Sequence, residues 1–375
     1  MRPTHVSILK ANQGECDALA GLDQRVARKI EPLLEIGRVT DAIRQRKYFQ
    51  TSKAPTMAYL NRVFQRVGAV WKGRVAMVDG YQWSPDAQVE NGDHAIAHMV
   101  LGLEAVGVSV VPVVGYDRWS NPEYRMGIQA IPLRTDGRYC VRLDSSAFED
   151  SAEPELFQAT IADILEGLEL DPGRCSVLLD FADVSMSAMS IERIVETSEN
   201  VIRQLGMFGF DYYIVAGCSL PKTIDLAVSD RDSEGFVLRK EMLAWQTLRL
   251  NLPDVTIVSG DYGVRGPTTS EAPSRFTNGK IRHTVKGQMY IVRGHAFSSD
   301  GNQEQMYSLS ARLVRSTHFL GAGFSWGDSQ ILLCSRQTAL GSTTRWISID
   351  TNHHLTFVVQ EVEEFQRSIA AKEFI

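Results

Sequence analysis

The chain contains few cysteines, and they follow no recognisable pattern. Five cysteines are scattered through 375 residues, and no two of them form a Cys-x-x-Cys pair. This odd, dispersed set has neither the even count of a disulfide framework nor the paired spacing of a zinc cage. We therefore expect most of the cysteines to be small buried side chains.

Long apolar runs are missing as well. No segment is long enough to cross a bilayer, and the opening residues MRPTHVSILKANQGE contain no apolar segment of signal-peptide length. These absences predict a cytoplasmic protein without a membrane partner. The net charge of −6 gives the whole molecule no attraction to nucleic acid. The net charge does not exclude a local basic patch, so a nucleotide or nucleic-acid partner remains an alternative.

Two phosphate-binding signatures are absent. The sequence has no Gly-x-x-x-x-Gly-Lys-Ser/Thr, and no Gly-x-Gly-x-x-Gly follows a strand-like segment. This disfavours P-loop nucleoside triphosphatases and classical dehydrogenases. The segment ILKANQGE is similar to the lysine segment of alanine-racemase-like enzymes, which hold pyridoxal phosphate, but the Tyr-Gly-His that follows in those enzymes is missing.

Short apolar, β-branched segments recur along the chain, and amphipathic segments with helical spacing separate them. The strand-like segments are HVSILKA, KIEPLLEI, RVAMVDG, VSVVPVVG, RYCVRLD, CSVLLDFAD, DYYIVAG and VTIVSGD. Alternating strands and helices predict right-handed βαβ units and a parallel sheet. Eight units in about 260 residues match an α/β fold of the TIM-like (β/α)8 barrel type. An open, doubly wound sheet is the alternative.

The remaining residues are predicted to complete one domain that spans residues 1–375. Residues 260–350 are interpreted as an elaborated closing segment after strand eight. Within it, 265–280 is expected to be a long loop because it is rich in Pro, Ser, Thr and Gly, and GQMYIVRGHAF is expected to contain a strand. Apolar residues at helical spacing predict a final helix at about 354–370.

Charged residues end most of the predicted strands. The carboxyl ends of barrel strands form the mouth, where the active sites of such proteins lie. We therefore predict a ring of functional side chains there. Its members are Lys10, Glu35, Asp79, Arg142, Asp144, Asp180, Asp261 and Tyr262. The alternative is a structural network, because buried charges are commonly paired.

The residue types in this ring predict a hydrolase acting on a phosphorylated or nucleotide-like substrate. The catalytic candidates are Glu35, Asp79, Asp180 and Asp261, and the candidate metal ligands are Asp79, Asp180 and Asp261. Such carboxylates could hold Mg²⁺ or Mn²⁺. Lys10 and Arg142 would bind phosphate, and Asp144 and Tyr262 would contact the substrate. Glycoside hydrolysis by a pair of carboxylates is the alternative chemistry.

Two residues outside the strands are further substrate-binding candidates. Trp326 lies in a glycine-bounded loop, where it could cap a ligand or anchor the loop. His353 is the first of a tandem pair before the last helix, and at most one of the two histidines is expected to reach the mouth. The alternative for both histidines is a surface or capping role.

Five segments in this order resemble one family. ILKANQGECDALAGL, KIEPLLEI, SGDYG, FSWGD and TNHHLTFVV resemble the phage beta-protein family, which is found in phages, prophages and bacterial genomes. The resemblance implies a mobile-element protein in phage–host conflict or anti-phage defence, and it carries over no catalytic residue. The competing functions are therefore a barrel enzyme and a non-catalytic sensor. The sensor would recognise a phage component or a partner protein of a defence operon through its mouth.

Overall fold

The computed structural model describes residues 2–132, 137–267, 277–297 and 303–372. Its strands are β1 (His5–Leu9), β2 (Leu33–Glu35), β3 (Val75–Asp79), β4 (Ser109–Gly115), β5 (Cys140–Leu143), β6 (Ser176–Asp183), β7 (Tyr212–Cys218), β8 (Glu234–Leu238), β9 (Ile257–Asp261), β10 (Asn278–Val285) and β11 (Gln288–Ala296). Strands β1 to β7 and β9 are parallel and close into a barrel, in which β9 pairs with both β7 and β1. These strands coincide with the predicted segments, so the barrel prediction is confirmed and the open-sheet alternative is wrong.

Side chains of the barrel strands alternate between an inner and an outer apolar layer. Val6 and Ile8 of β1 pack inside the barrel with Met77 and Leu178, whereas Leu9 packs outward against the helices. We call the side chains of one strand that face the barrel interior its inward column. Because the alternation has a period of two residues, each inward column ends at a defined residue at the strand end. These strand-end positions form the mouth of the barrel.

Helices surround the barrel. They are α1 (Gln13–Ala20), α2 (Gln24–Ala27), α3 (Asp41–Arg44), α4 (Lys47–Gln50), α5 (Pro55–Trp71), α6 (Ala95–Ala105), α7 (Pro122–Gln129), α8 (Ser145–Asp150), α9 (Pro154–Gly167), α10 (Ile191–Leu205), α11 (Ile224–Ala227), α12 (Lys240–Asn251), α13 (Gln305–Arg315), α14 (Trp326–Ser335) and α15 (Thr343–Lys372). None of the helices in these described ranges has the length and apolar character needed to cross a bilayer.

Helix α10 shows how the sequence pattern builds this outer ring. The Ser190 side chain accepts a hydrogen bond from the Arg193 amide and so caps the helix. Ile194, Val201 and Leu205 then recur at helical spacing, and all three are buried. The opposite face is polar, which fixes the rotation of the helix against the barrel.

The strands β8, β11 and β10 form a separate antiparallel sheet, here called the cap sheet. On one face, Ile281, Tyr290 and Val292 pack against α13 and α14. On the other face, Met289 and Ile291 join the apolar cluster of the barrel interior. The cap sheet therefore lies against one side of the mouth.

Two boundaries in the closing segment differ from the prediction. Strand β10 begins at Asn278, inside the segment 265–280 that was expected to be a loop, and residues 268–276 of that segment lie outside the described residues. Helix α15 begins at Thr343, before the predicted start near residue 354. Strand β11 lies within the predicted GQMYIVRGHAF segment.

Candidate functional site

Six of the predicted residues lie together inside the mouth with one residue that the sequence analysis did not single out. This group, here called the mouth network, consists of Lys10, Glu35, Asp79, Arg118, Arg142, Asp180 and Tyr262. Each member has a relative exposure of 5% or less. All except Arg118 follow the inward column of a barrel strand, so closure of the barrel brings them together.

Arg142, near the end of β5, is the centre of the mouth network. Its Nη1 lies 2.8 Å from Asp79 Oδ2, and its Nη2 lies 2.8 Å from Glu35 Oε1. Its Nε and Nη2 donate to Asp180 Oδ2 at 3.0 and 2.5 Å. The guanidinium also lies 4.0 Å from the centre of the Tyr81 ring. One guanidinium thus binds three buried carboxylates.

Tyr262 and Lys10 complete the polar contacts. Tyr262 Oη donates to Asp180 Oδ2 at 2.7 Å, and Lys10 Nζ donates to Glu35 Oε2. Burial, followed by the charge of Asp180, raises the pKa of Tyr262 well above its ordinary value. The tyrosine therefore stays a neutral hydrogen-bond donor at physiological pH.

Arg118 enters the mouth network from the turn after β4. Its Nη1 donates to Asp79 Oδ1 at 2.8 Å. Burial alone would raise the pKa of Asp79, but the charges of Arg118 and Arg142 outweigh burial and lower it. Gly115 provides the space, because a Cβ at this position would lie 2.1 Å from Arg118 Nη2. In the sequence, the glycine at the end of β4 is the feature that indicates space for an inserted side chain.

Gly115→Ala should therefore lower the free energy of unfolding by about 2 kcal/mol, because the new methyl group displaces Arg118 from Asp79. The backbone of Gly115, at φ −82°, suits alanine, so the cost would come from the lost contact. Urea unfolding measures it. The control is Gly323→Ala, where an added Cβ meets nothing within 4 Å. Equal midpoints for the two variants would contradict this explanation.

The charges of the mouth network balance one another. The cations are Lys10, Arg118 and Arg142, and the carboxylates are Glu35, Asp79 and Asp180. Each carboxylate already binds a guanidinium or an ammonium group, so a metal ion would have to displace these cations. This geometry favours the structural alternative over the predicted magnesium or manganese site.

Asp261 does not belong to the mouth network, which corrects its predicted place beside Asp79 and Asp180. Adjacent strand residues point to opposite faces of the sheet, so Asp261 cannot point inward together with Tyr262. The inward column of β9 ends in Tyr262, whereas Asp261 follows the outward column of Ser259. The three predicted metal ligands therefore lie on two sides of the barrel wall.

On the outer side, Asp261 accepts hydrogen bonds from several buried groups. Its Oδ2 lies 2.8 Å from His354 Nε2, and its Oδ1 lies 3.2 Å from His5 Nε2. Ser7 Oγ and the Gly263 amide both donate to Oδ1 at 2.9 Å, and Gly263 has a φ of 59° that favours glycine. Burial alone would raise the pKa of Asp261, but His354 and His5 lower it well below its ordinary value.

Asp144 and Trp326 also lie outside the mouth network. Asp144 Oδ1 accepts hydrogen bonds from the amide and the hydroxyl of Ser146, at 3.2 and 2.5 Å, because the chain turns into α8 at this point. Trp326 is the first residue of α14, and the Arg345 guanidinium lies 4.4 Å from the centre of its ring. Both predicted binding residues therefore have local structural contacts.

His353 is buried inside α15, so the alternative of a surface or capping role does not hold for it. Consecutive helical residues point about 100° apart. His354 therefore faces Asp261, whereas His353 faces Asp328, whose Oδ2 lies 2.8 Å from His353 Nδ1. His353 Nε2 lies 2.9 Å from the carbonyl oxygen of Thr284. The histidine that reaches the end of a barrel strand is thus His354, the residue that we did not select.

Residues 323–327 form a Gly-x-Ser-x-Gly match of the kind that marks serine hydrolases. The hydroxyl of Ser325, however, caps α14 by accepting a hydrogen bond from the Asp328 amide at 3.0 Å, and it donates to Asp328 Oδ2 at 2.5 Å. In the catalytic triad of such hydrolases the serine hydroxyl bonds a histidine base, whereas the Ser325 hydroxyl bonds the Asp328 carboxylate. Ser325 therefore has a capping role.

A second group of cations lies beside the mouth, on the barrel-facing side of the cap sheet. Arg282 donates from Nη1 to the Val264 carbonyl at 2.7 Å and from Nε to Asp350 at 2.8 Å. Lys280 precedes it on the same face of β10. Burial, followed by the charge of Arg282, lowers the pKa of Lys280 to about 8; Asp350 opposes this shift and Arg265 adds to it. We call Lys280, Arg265 and Arg282 the cap cations.

Comparisons with known proteins give a family for the chain. A family model described as "Beta protein" matches residues 5–360. No match was found among curated proteins. Among solved structures, the chain is similar to the carboxyl transferase domain from Rhizobium etli pyruvate carboxylase with 3-bromopyruvate, at 11% identity and a TM-score of 0.34. That match covers 97% of this chain and 48% of the other, so this chain spans about half of its length. A likeness this weak carries no argument about function.

Proposed function

Given that this chain belongs to the Beta protein family, we propose that it is a recognition protein whose barrel mouth binds a phosphorylated or nucleotide-like anion. The cap cations would hold the anionic group, with Lys10 beside them. The ligand would come from a phage component or from a partner protein in phage–host conflict. This context rests on the family alone, and the anion rests on the residues of the mouth.

The observation that carries the proposal is that Lys280 and Arg282 share the barrel-facing side of β10, and Arg282 bonds the carbonyl of Val264, the residue before Arg265. Burial is the main cause of the lowered pKa of Lys280, about 8, repulsion by Arg282 and Arg265 adds to it, and Asp350 opposes it. An anion bound among them would remove the repulsion. Arginine and lysine together suit phosphate, because guanidinium groups bind its oxygens in pairs and ammonium acts as a point charge.

The loop after β9 connects these cations to the mouth. The Val264 carbonyl accepts a hydrogen bond from Arg282, and the Pro267 carbonyl accepts one from Lys10 Nζ at 3.1 Å. Arg265 lies in the same loop, and its charge acts on the buried carboxyl of Glu15. The cations thus border one loop at the junction of barrel and cap sheet.

Recognition is favoured over metal-dependent hydrolysis because the mouth carboxylates are already engaged by cations. A catalytic carboxylate must be free to bind a metal ion or to exchange a proton. Asp79 instead holds Arg118 and Arg142, and Asp180 holds Arg142 and Tyr262. These contacts suit a rigid base beneath a binding surface.

Calorimetric titration with pyrophosphate and with nucleoside triphosphates tests this proposal. We expect binding by the wild type and an affinity at least about 10-fold lower in Lys280→Met, which corresponds to about 1.4 kcal/mol. The affinity should also fall as the pH rises above about 8, where the free protein loses the Lys280 proton. Added salt should weaken binding, because the contact is between charges.

The matched control is Lys286→Met, which removes an exposed lysine from the same hairpin. Its affinity should equal that of the wild type. Equal losses in both variants, or no binding of any of these anions by the wild type, would overturn the proposal. Release of phosphate in the presence of Mn²⁺ would instead favour the hydrolase.

A further inference from the structure

We propose that His5, Asp261 and His354 form a binding site for a divalent transition metal, with Zn²⁺ as the best match, on the outer wall of the barrel. The two histidines approach one carboxylate from different directions. Their Nε2 atoms lie 3.2 and 2.8 Å from its two oxygens, and the ring planes differ by 69°. The three ligand atoms all lie within 4.8 Å of one another.

This ligand set and spacing suit zinc. Two imidazole nitrogens and one carboxylate oxygen are common zinc ligands at about 2.0–2.2 Å, which places neighbouring ligands about 3.3 Å apart in a tetrahedral site. The two nitrogen–oxygen distances, 3.2 and 2.8 Å, are slightly shorter than that value, so small side-chain shifts suffice. The three residues come from β1, β9 and α15. A bound ion would therefore tie the last helix to the barrel wall.

The groups behind the histidines allow the tautomer that a metal requires. His5 Nδ1 lies 3.1 Å from Ser259 Oγ, and His354 Nδ1 lies 2.7 Å from Thr284 Oγ1. A metal bound at Nε2 needs the proton on Nδ1, where a hydrogen-bond acceptor must receive it. A hydroxyl can donate or accept, so it serves the metal-bound and metal-free tautomers equally. Metal binding then requires a change of tautomer at each histidine, rotation of the two hydroxyl groups and small side-chain shifts.

A second buried group, His283, Asp328 and His353, has similar composition but unsuitable geometry. The rings of His283 and His353 stack with centres 3.6 Å apart and planes 18° from parallel. A ring nitrogen binds a metal in the plane of its ring, and stacked rings direct their nitrogens side by side rather than toward one point. The carbonyl of Thr284 also holds a proton on His353 Nε2. The Asp261 group is therefore the one that we assign.

The charge around Asp261 suits an added cation. Arg239 Nη2 lies 3.7 Å from Asp261 Oδ2, but Arg239 also bonds Glu361 at 2.6 Å and lies 3.9 Å from Glu241. Three carboxyl groups thus face one guanidinium. Burial raises the pKa of Glu241 to about 7, and with Asp261 and Glu361 ionised the group keeps a negative charge that an added cation would offset. Asp261, Arg239 and Glu241 also line a small cavity with Ser219, on the side of the carboxylate that Arg239 occupies.

Metal content of the purified full chain tests the site. After removal of metal with a chelator, dialysis against Zn²⁺ should leave one ion per chain, and Co²⁺ should give the intense visible absorption of a tetrahedral site. His354→Gln should abolish this absorption. Thr284→Val, which keeps the ligands and removes only the hydroxyl behind His354, should weaken binding by about 10- to 100-fold. Zn²⁺ should also raise the thermal midpoint of the wild type.

Two variants serve as controls. His353→Gln removes the neighbouring histidine of the stacked pair, and His295→Gln removes one outside both groups, so each should bind Zn²⁺ as the wild type does. The inference fails if the wild type binds no Zn²⁺ or Co²⁺, or if His353→Gln loses the Co²⁺ spectrum while Thr284→Val keeps full affinity. Anion binding at the cap cations is measured without metal, so either proposal can fail without the other.

Discussion

Replacing Arg142 by methionine should lower the free energy of unfolding by about 3–5 kcal/mol. The substitution keeps much of the side-chain volume but leaves Glu35, Asp79 and Asp180 without the guanidinium that all three bind. Glu35 keeps Lys10 and Asp79 keeps Arg118, but Asp180 loses its paired cation, and an unpaired buried carboxylate is costly because the surrounding protein solvates charge poorly. Urea unfolding at neutral pH, followed by tryptophan fluorescence, measures the effect.

The matched control for this result is Arg25→Met. The Arg25 side chain is 88% exposed, and its ion pair with Asp23 is a surface contact that water screens, so its loss should leave the urea midpoint nearly unchanged. The free energy of unfolding of Arg142→Lys should lie between those of Arg142→Met and Arg25→Met, since one ammonium group cannot bind three carboxylates at once. If Arg142→Met and Arg25→Met unfolded at the same urea concentration, the mouth network would not be a buried, paired network.

Asp261→Asn should cost about 3 kcal/mol or more at neutral pH. The amide has nearly the shape of the carboxylate but lacks its charge, and its NH2 group would face donors such as Ser7, Gly263 or His354. At least one buried donor would then lose its acceptor. The same urea titration gives the size of the effect.

The pH dependence provides a second readout for Asp261. Its folded pKa lies well below the ordinary 3.8, so its contribution to stability is fully present above that value and is lost as the pH falls through the folded pKa. The difference in free energy of unfolding between the wild type and Asp261→Asn should therefore become smaller in strong acid. Asp183→Asn, which only weakens a cap on Ser185, should cost about 1 kcal/mol. If this difference did not depend on pH, Asp261 would not be ionised in the folded protein as described here.

The barrel and most of the mouth network could be predicted because their signals are local. Each barrel strand is a short apolar run, and a period of two carries its inward column to the strand end. Glu35 and Asp79 follow from this rule directly. The same rule also separates Asp261 from Tyr262, because adjacent strand residues point to opposite faces. The prediction of a single ring from all charged strand ends did not take this alternation into account.

The remaining parts could not be predicted because their signals are weak or distant in sequence. Strand β10, NGKIRHTV, carries Lys280 and Arg282 among its apolar positions and so lacks an apolar run. Strand β8, EGFVL, is short and exposes its alternate side chains. Arg118 reaches the mouth from a turn, and only the glycine at the end of β4 indicated space for it. His5 and His354 contact the same carboxylate, that of Asp261, because the last helix packs against the first strand.

A crystal structure of the chain with pyrophosphate tests most directly the central claim that the barrel mouth binds an anion through the cap cations. We predict phosphate oxygens within hydrogen-bonding distance of Lys280 Nζ and of the Arg265 or Arg282 guanidinium group. Asp79 and Asp180 should keep their contacts with Arg142. Pyrophosphate bound away from the cap cations, or a metal ion on these two carboxylates with Arg142 displaced, would contradict the account.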